Sequence, residues 1–254
     1  MQFAIVTGES RGLGEAIAKD FMEYGIDVIG VSRSGSEELK KFSKNEKADY
    51  HHYSCDLSDS AQAKECFEKI AEQHFNKETY HIYLINNAGM IEPIETVGNL
   101  DTEQVTKHVQ VNLVAPIVWT NSLLSYAETH DVKLTMVNIT SGAAEKSTPG
   151  WSTYNSTKAA INQFTATVAA ELETKDSDHQ ILAYSPGVMD TDMQDVIRSA
   201  PKEAFHDVEK FRQLKEEGQL RDPDTVSAVL MDLLNKPNDI ENGKVYKLYD
   251  LIKE

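Results

Sequence analysis

Short apolar strands alternating with longer helical stretches predict an α/β fold, in which one parallel sheet is covered by helices on both faces. A glycine-rich turn, Gly8-Glu9-Ser10-Arg11-Gly12-Leu13-Gly14, directly after the first strand supports this. So do polar clusters that recur where successive strands end, the edge at which open parallel sheets bind ligands.

Residues 3–6 form a β-prone run, and Leu13, Ile17, Phe21 and Met22 then recur at helical spacing. Residues 28–31 read as a second strand and 51–54 as a third. Ser58 or Asp59 can cap a helix carrying Ala63, Phe67, Ile70 and Ala71 on one face. Residues 82–85 supply the fourth strand. Residues 101–114 and 116–126 are helical, with a break expected before Pro116 because the residue preceding proline is pushed out of the α region. Strand 134–139, helix 153–172 and strand 181–184 follow, then a helix over 225–234 and a last strand over 245–248. Residues 188–222, rich in charge and with two helical pieces, read as a lid. No repeat or linker divides the chain, so residues 1–254 are expected to form one domain.

At 40% hydrophobic and 26% charged residues, the 254-residue chain can bury one large core and is not disordered. Lys and Arg number 25 against 41 Asp and Glu, a net charge of −16 that argues against nucleic acid or an anionic membrane as partner. Cys55 and Cys66 lie in no metal-ligand spacing and suit a reducing compartment. The eight histidines, His51-His52 included, show no metal-binding spacing and read as surface or packing residues, so no metal is expected. No signal-peptide pattern opens the chain and no apolar run reaches the roughly 18 residues of a membrane helix, so a cytoplasmic location is expected.

The glycine turn has the spacing GxxxGxG. Glycines there permit a tight turn and let backbone approach a pyrophosphate, which the next helix meets with free N–H groups and the positive end of its dipole. Taken alone, it could equally be a plain structural turn. Tyr154 and Lys158, at i and i+4, share one helical face. That pair arises by chance too, but here it accompanies Asn86-Asn87-Ala88-Gly89, Asn112, Thr140-Ser141-Gly142 and Pro186-Gly187 at the strand ends.

Thr7, Gly8, Gly12, Gly14, Asn86 to Gly89, Asn112, Ser141, Tyr154, Lys158, Pro186, Gly187 and Thr191 resemble, in order and spacing, the short-chain dehydrogenase/reductase family. Residues 186–194, 214–220 and 245–250 are most similar to its sepiapterin reductase and bacterial benzil reductase branch. The resemblance implies a Rossmann-type, doubly wound three-layer α/β/α domain and hydride transfer to a carbonyl. Negative charge then grows on the carbonyl oxygen, so donors must be in place beforehand. By the resemblance Tyr154 donates the proton and Ser141 bonds the substrate oxygen. Lys158 lowers the Tyr154 pKa from its ordinary value of about 10 and holds the nicotinamide ribose. Asn112 holds a water that links Lys158 to solvent, and suits a helix bend equally well.

Further cofactor contacts are implied at Gly8, Ser10, Arg11, Gly12, Leu13 and Gly14 in the turn, and at Ser32, Arg33, Asp56, Leu57, Asn87, Ala88 and Gly89. Pro186, Gly187, Val188 and Thr191 match contacts to the carboxamide. The second strand ends Val31-Ser32-Arg33-Ser34 with no acid to bond a ribose 2′-hydroxyl, and Arg11 is a second cation, so NADPH is expected over NADH. Glu9 stands where the family usually has Ala, Gly or Ser. A carboxylate there is expected to face solvent or to pair with Arg11 or another cation.

Trp151, Met189, Met193 and Phe205 either line an apolar substrate pocket or pack the core and lid. Asp250 matches a carboxylate that grips the pterin in sepiapterin reductase, or is simply an exposed acid. Together these residues predict an NADPH-dependent carbonyl reductase acting on a sepiapterin-like ketone or a benzil-like diketone. The alternatives are an NAD(P)⁺-dependent alcohol or steroid dehydrogenase and a non-catalytic NADP(H)-sensing regulator. The resemblance also implies a homodimer or homotetramer built through helices 101–126 and 153–172.

Overall fold

A computed structural model describes residues 1–252. Seven strands, β1 (Gln2–Thr7), β2 (Asp27–Ser32), β3 (Tyr50–Ser54), β4 (His81–Asn86), β5 (Lys133–Ile139), β6 (Gln180–Ser185) and β7 (Val245–Lys247), form one sheet in the order β3-β2-β1-β4-β5-β6-β7. Every neighbouring pair is parallel. The order reverses direction at β1 and β4, the switch point that opens a crevice at the carboxyl edge of a doubly wound sheet.

Ten α-helices are described: α1 (Gly12–Glu23), α2 (Glu37–Phe42), α3 (Ser60–His74), α4 (Thr102–Val109), α5 (Ala115–His130), α6 (Ser152–Thr174), α7 (Asp192–Ser199), α8 (Val208–Glu216), α9 (Pro223–Leu234) and α10 (Leu248–Leu251). Strand side chains alternate between faces and sort into two cores. Phe3 and Ile5 of β1 pack with α3, α5 and α6 through Ile70, Trp119 and Leu172. Ala4 and Val6 pack with α1 and α9 through Phe21 and Leu230. A third cluster joins residues 197–208 to the start of α6 through Trp151, Tyr154, Ile197 and Phe205.

The structure departs from expectation in three places. No break precedes Pro116: α4 passes through a π turn, Gln110–Val114, directly into α5, with Pro116 in the first turn of α5. The wider turn re-registers the hydrogen bonds, so a proline lacking an N–H is accommodated without ending the helix. Helix α2 was not anticipated because its sequence is polar and buries only Leu39; Ser36 caps it by accepting from the Leu39 N–H at 3.1 Å. The last strand stops at Lys247, and Leu248 begins α10.

Candidate active site

The glycine turn lies at the switch point, between β1 and α1. Gly8 has φ +69°, and a Cβ there would come within 2.9 Å of the Ala88 Cα, so this turn closes against the end of β4 only with glycine. Asn87 fastens it from the other side, donating from Nδ2 to the carbonyls of Thr7 at 2.9 Å and Gly8 at 3.1 Å. The Thr7 hydroxyl accepts the N–H groups of Asn87 and Ala88, both at 3.0 Å. Helix α1 begins after Arg11 with no side-chain cap, which leaves its first N–H groups facing the crevice edge. An uncapped helix start beside a glycine cradle fits the pyrophosphate of a nicotinamide dinucleotide.

Tyr154 and Lys158 project from the first turns of α6 and are buried, at 8% and 6% exposure. The Lys158 Nζ donates to the Ile139 carbonyl at 2.8 Å and lies 5.8 Å from the Tyr154 ring centroid. Ser141 follows β5 and caps the next turn by accepting the Ala143 N–H at 3.1 Å. The structure corrects one expectation here: the Tyr154 pKa is raised, because burial of the phenol outweighs the hydrogen bond from Ser141 that lowers it. Burial also brings Lys158 down to about 8, and its ammonium is engaged by a backbone carbonyl.

Asn112 lies in the π turn and serves as a clamp. Its Oδ1 accepts the Met90 N–H at 2.8 Å, while Nδ2 donates to the Met90 carbonyl at 2.8 Å and to His108 Nε2 at 2.9 Å. The helix-bend reading of Asn112 agrees with this placement, in the π turn between α4 and α5. His108 was taken with the surface or packing histidines. It is fully buried, with Nδ1 on the Glu92 carbonyl at 2.7 Å and Nε2 shared between Asn112 and Thr157. Burial lowers its pKa, so it is a neutral acceptor at Nε2. Its spacing of four residues before Asn112 was the only available signal.

At the far end of the crevice, Arg33 is exposed just beyond β2, and its charge helps hold Asp56 below the usual carboxylate range, after the Ser58 hydrogen bonds that dominate. Glu9 neither faces solvent nor pairs with Arg11; it is fully buried, with Oε1 contacted by Ser32 Oγ, Tyr50 Oη and His52 Nδ1 at 3.1, 2.9 and 2.9 Å, and of the expected alternatives only a pair with another cation is left, His52 when protonated. Those donors sit behind the turn on β2 and β3, and they draw the carboxylate inward. Arg11 instead meets Asp192 of α7 at 2.7 Å. Thr191 approaches the turn as well, its Cγ2 lying 3.4 Å from a Cβ placed on Gly12.

The expected pocket residues are only partly brought together. Trp151 lies edge-on to Tyr154, with ring centroids 5.5 Å apart, and Met193 packs in the same cluster. Phe205 is fully buried and stacks on Trp151 at 4.7 Å, so it supports the lid. Met189 packs elsewhere, against the α1 and α9 core. Asp250 is exposed on α10, and the adjoining Lys247 pairs with Glu145 beside the Ser141 turn at 2.8 Å. Tyr249 was missed: it covers Gly187, where a Cβ would meet its ring at 2.9 Å, and Arg221 stands 5.2 Å from its ring centroid.

A buried phenol and ammonium, with a half-buried serine hydroxyl and a glycine cradle at a switch point, define a nicotinamide-dependent oxidoreductase site, and the short chain dehydrogenase family model matches residues 2–202. The chain belongs to that family and is an oxidoreductase acting on CH–OH/C=O groups of small molecules with a nicotinamide cofactor. It is 38% identical over 252 residues to benzil reductase ((S)-benzoin forming) of Bacillus subtilis, covering 99% of this chain and 100% of that one. It is 28% identical over 260 residues to sepiapterin reductase of Meriones unguiculatus, covering 97% and 95% of the two. A solved short chain dehydrogenase/reductase from Saccharomyces cerevisiae superposes with TM-score 0.81 over the full length of both chains at 25% identity. Among the described residues no helix is long and apolar enough to cross a membrane, and no group of acidic, His or Cys side chains could hold a metal.

Proposed function

We propose that this chain is an NADPH-dependent carbonyl reductase whose substrates are benzil-like aromatic diketones and related ketones. The observation that carries the proposal is the geometry beside the switch point: Tyr154 and Lys158 are buried one turn apart on α6, with Lys158 Nζ 5.8 Å from the Tyr154 ring centroid, and Ser141 follows β5, so a proton donor, a cation and a hydroxyl are offered at the sheet's carboxyl edge. The full-length likeness to benzil reductases supports the substrate class.

The cofactor, when bound, supplies the hydride. Tyr154 gives its proton to the carbonyl oxygen, which Ser141 holds by a hydrogen bond, so that C=O becomes CH–OH. Lys158 holds the ribose hydroxyls and returns a proton to Tyr154 through a solvent path beside Asn112. The turn of Gly8, Ser10, Gly12, Leu13 and Gly14 would hold the pyrophosphate, with Asn87, Ala88 and Gly89 beside it. Asp56 and Leu57 would hold the adenine, and Arg33 with Arg11 the 2′-phosphate. Pro186, Gly187, Val188 and Thr191 would hold the carboxamide, and Trp151 and Met193 would border the substrate.

Initial rates with NADPH and with NADH on benzil, sepiapterin and simple ketones test this. Tyr154→Phe is expected to bind NADPH like the parent and to lose reduction by about 10²-fold or more. Turnover by that variant at the parent rate, or a much lower KM for NADH than for NADPH, would overturn the proposal. If Asp250 anchors a pterin, Asp250→Ala raises KM for sepiapterin far more than for benzil; equal effects on both remove that anchor.

A further inference from the structure

The buried carboxylate of Glu9 is not used by the mechanism above. It occupies a niche made for it: a Cβ on Gly30 would lie 2.5 Å from its Cγ and Cδ, and a Cβ on Gly35 would lie 2.9 Å from the His52 ring. The Oε2 atom has no partner among the described residues, an unfavourable state for a carboxylate sealed from water.

Two of its contacts lead outward to one loop. Ser32 donates to Glu9, and its Oγ in turn accepts the Gly35 N–H at 3.2 Å. Tyr50 donates to Glu9, and its Oη accepts the Ser36 N–H at 3.3 Å. Burial, with the Glu9 charge second, pushes the Tyr50 pKa up, so the phenol keeps the proton it donates. One oxygen atom thus fixes two successive N–H groups of the loop that follows β2. That loop carries Arg33, whose own carbonyl is held by Ser54 Oγ at 3.2 Å. Ser32, expected to touch the cofactor, has its single proton directed at Glu9.

We propose that Glu9 is a positioning residue for cofactor choice. Through Ser32 and Tyr50 it fixes the loop between β2 and α2 so that Arg33 is presented to a 2′-phosphate, and the enzyme prefers the phosphorylated dinucleotide. Glu9 is fully buried, so it acts through the loop. The inference rests on the NADPH reading above.

Equilibrium fluorescence titration with 2′,5′-ADP and 5′-AMP, which lack the nicotinamide, separates loop position from catalysis. The parent protein is expected to bind 2′,5′-ADP more tightly, and Arg33→Ala to remove most of that difference. Glu9→Ala is expected to weaken 2′,5′-ADP about tenfold while 5′-AMP changes less than about twofold. Glu9→Gln keeps an acceptor at Oε1 and is expected to retain the preference. Ser32→Ala and Tyr50→Phe each remove one arm and are expected to show part of the loss, which keeps the test open if Glu9→Ala does not fold. An unchanged ratio of the two affinities in Glu9→Ala, or in both single-arm variants, overturns the positioning role while the NADPH reading stands. Equal affinity of the parent for the two nucleotides overturns the NADPH reading itself.

Discussion

Lys158, brought to about 8 by burial, is an ammonium below that pH and a neutral amine above it. Reduction needs the charged form to hold the ribose and resupply the proton, so kcat/KM is expected to be level near pH 7 and to fall by about tenfold per pH unit above about 8. Lys158→Arg, charged throughout, should lack that limb in a pH–rate profile. The same shift bears on stability with a definite sign. The folded pKa lies below the unfolded value, so the unfolded chain binds more protons between about 8 and 10.5 and stability rises with pH across that window. Lys158→Met removes the buried charge and is expected to gain on the order of 1–3 kcal/mol at pH 7 by chemical denaturation, with reduction abolished. The placement of Tyr154 and Lys158 on one face of α6, and of Ser141 just after β5, was legible in the sequence because helical spacing and the end of an apolar strand fix it. The direction of the Tyr154 shift and the burial of Glu9 were not, because each depends on donors and packing from distant strands.

The passage from α4 to α5 shows why elements were easier to locate than to join. Apolar spacing revealed both helices, yet the proline between them suggested a break where a π turn keeps the helix continuous. Nothing in a single sequence signals that turn except the pairing of His108 with Asn112, four residues apart. His108→Phe fills the same space without an acceptor and leaves the Asn112 and Thr157 groups facing a ring. It is expected to lose about 1–3 kcal/mol of stability in a denaturant titration. It should also lower kcat more than it raises the dissociation constant for NADPH, since in the mechanism proposed above the π turn borders the proton path. Helix α2 escaped notice for the opposite reason: Leu39 is its one buried side chain, so it carries no periodic signal.

Across the whole molecule, parallel pairing and a binding edge at the strand ends followed from the alternation of elements and the glycine turn, whereas the strand order is supplied by the structure. The net charge of −16 describes the solvated surface, and the dinucleotide, itself anionic, must rely on local exceptions to it. One of these is partly quenched: Arg11 is exposed and paired with Asp192, also exposed. Exposed pairs contribute up to about 1 kcal/mol, so Asp192→Asn should tighten NADPH by up to about fivefold in a binding titration. Dimerisation or tetramerisation through α4, α5 and α6, proposed from the family resemblance, is read directly by light scattering. The segment 188–222, proposed as a lid, is pinched at its base, where Met189 and Arg221 form a one-residue parallel bridge reinforced by hydrogen bonds from Arg221 to Val188 and from Asp190 to Arg221. A chimaera that takes residues 193–220 from a relative, and so keeps this base together with Thr191 and Asp192, is expected to bind NADPH like the parent while its preference among ketones changes, as a nucleotide titration and initial rates would read.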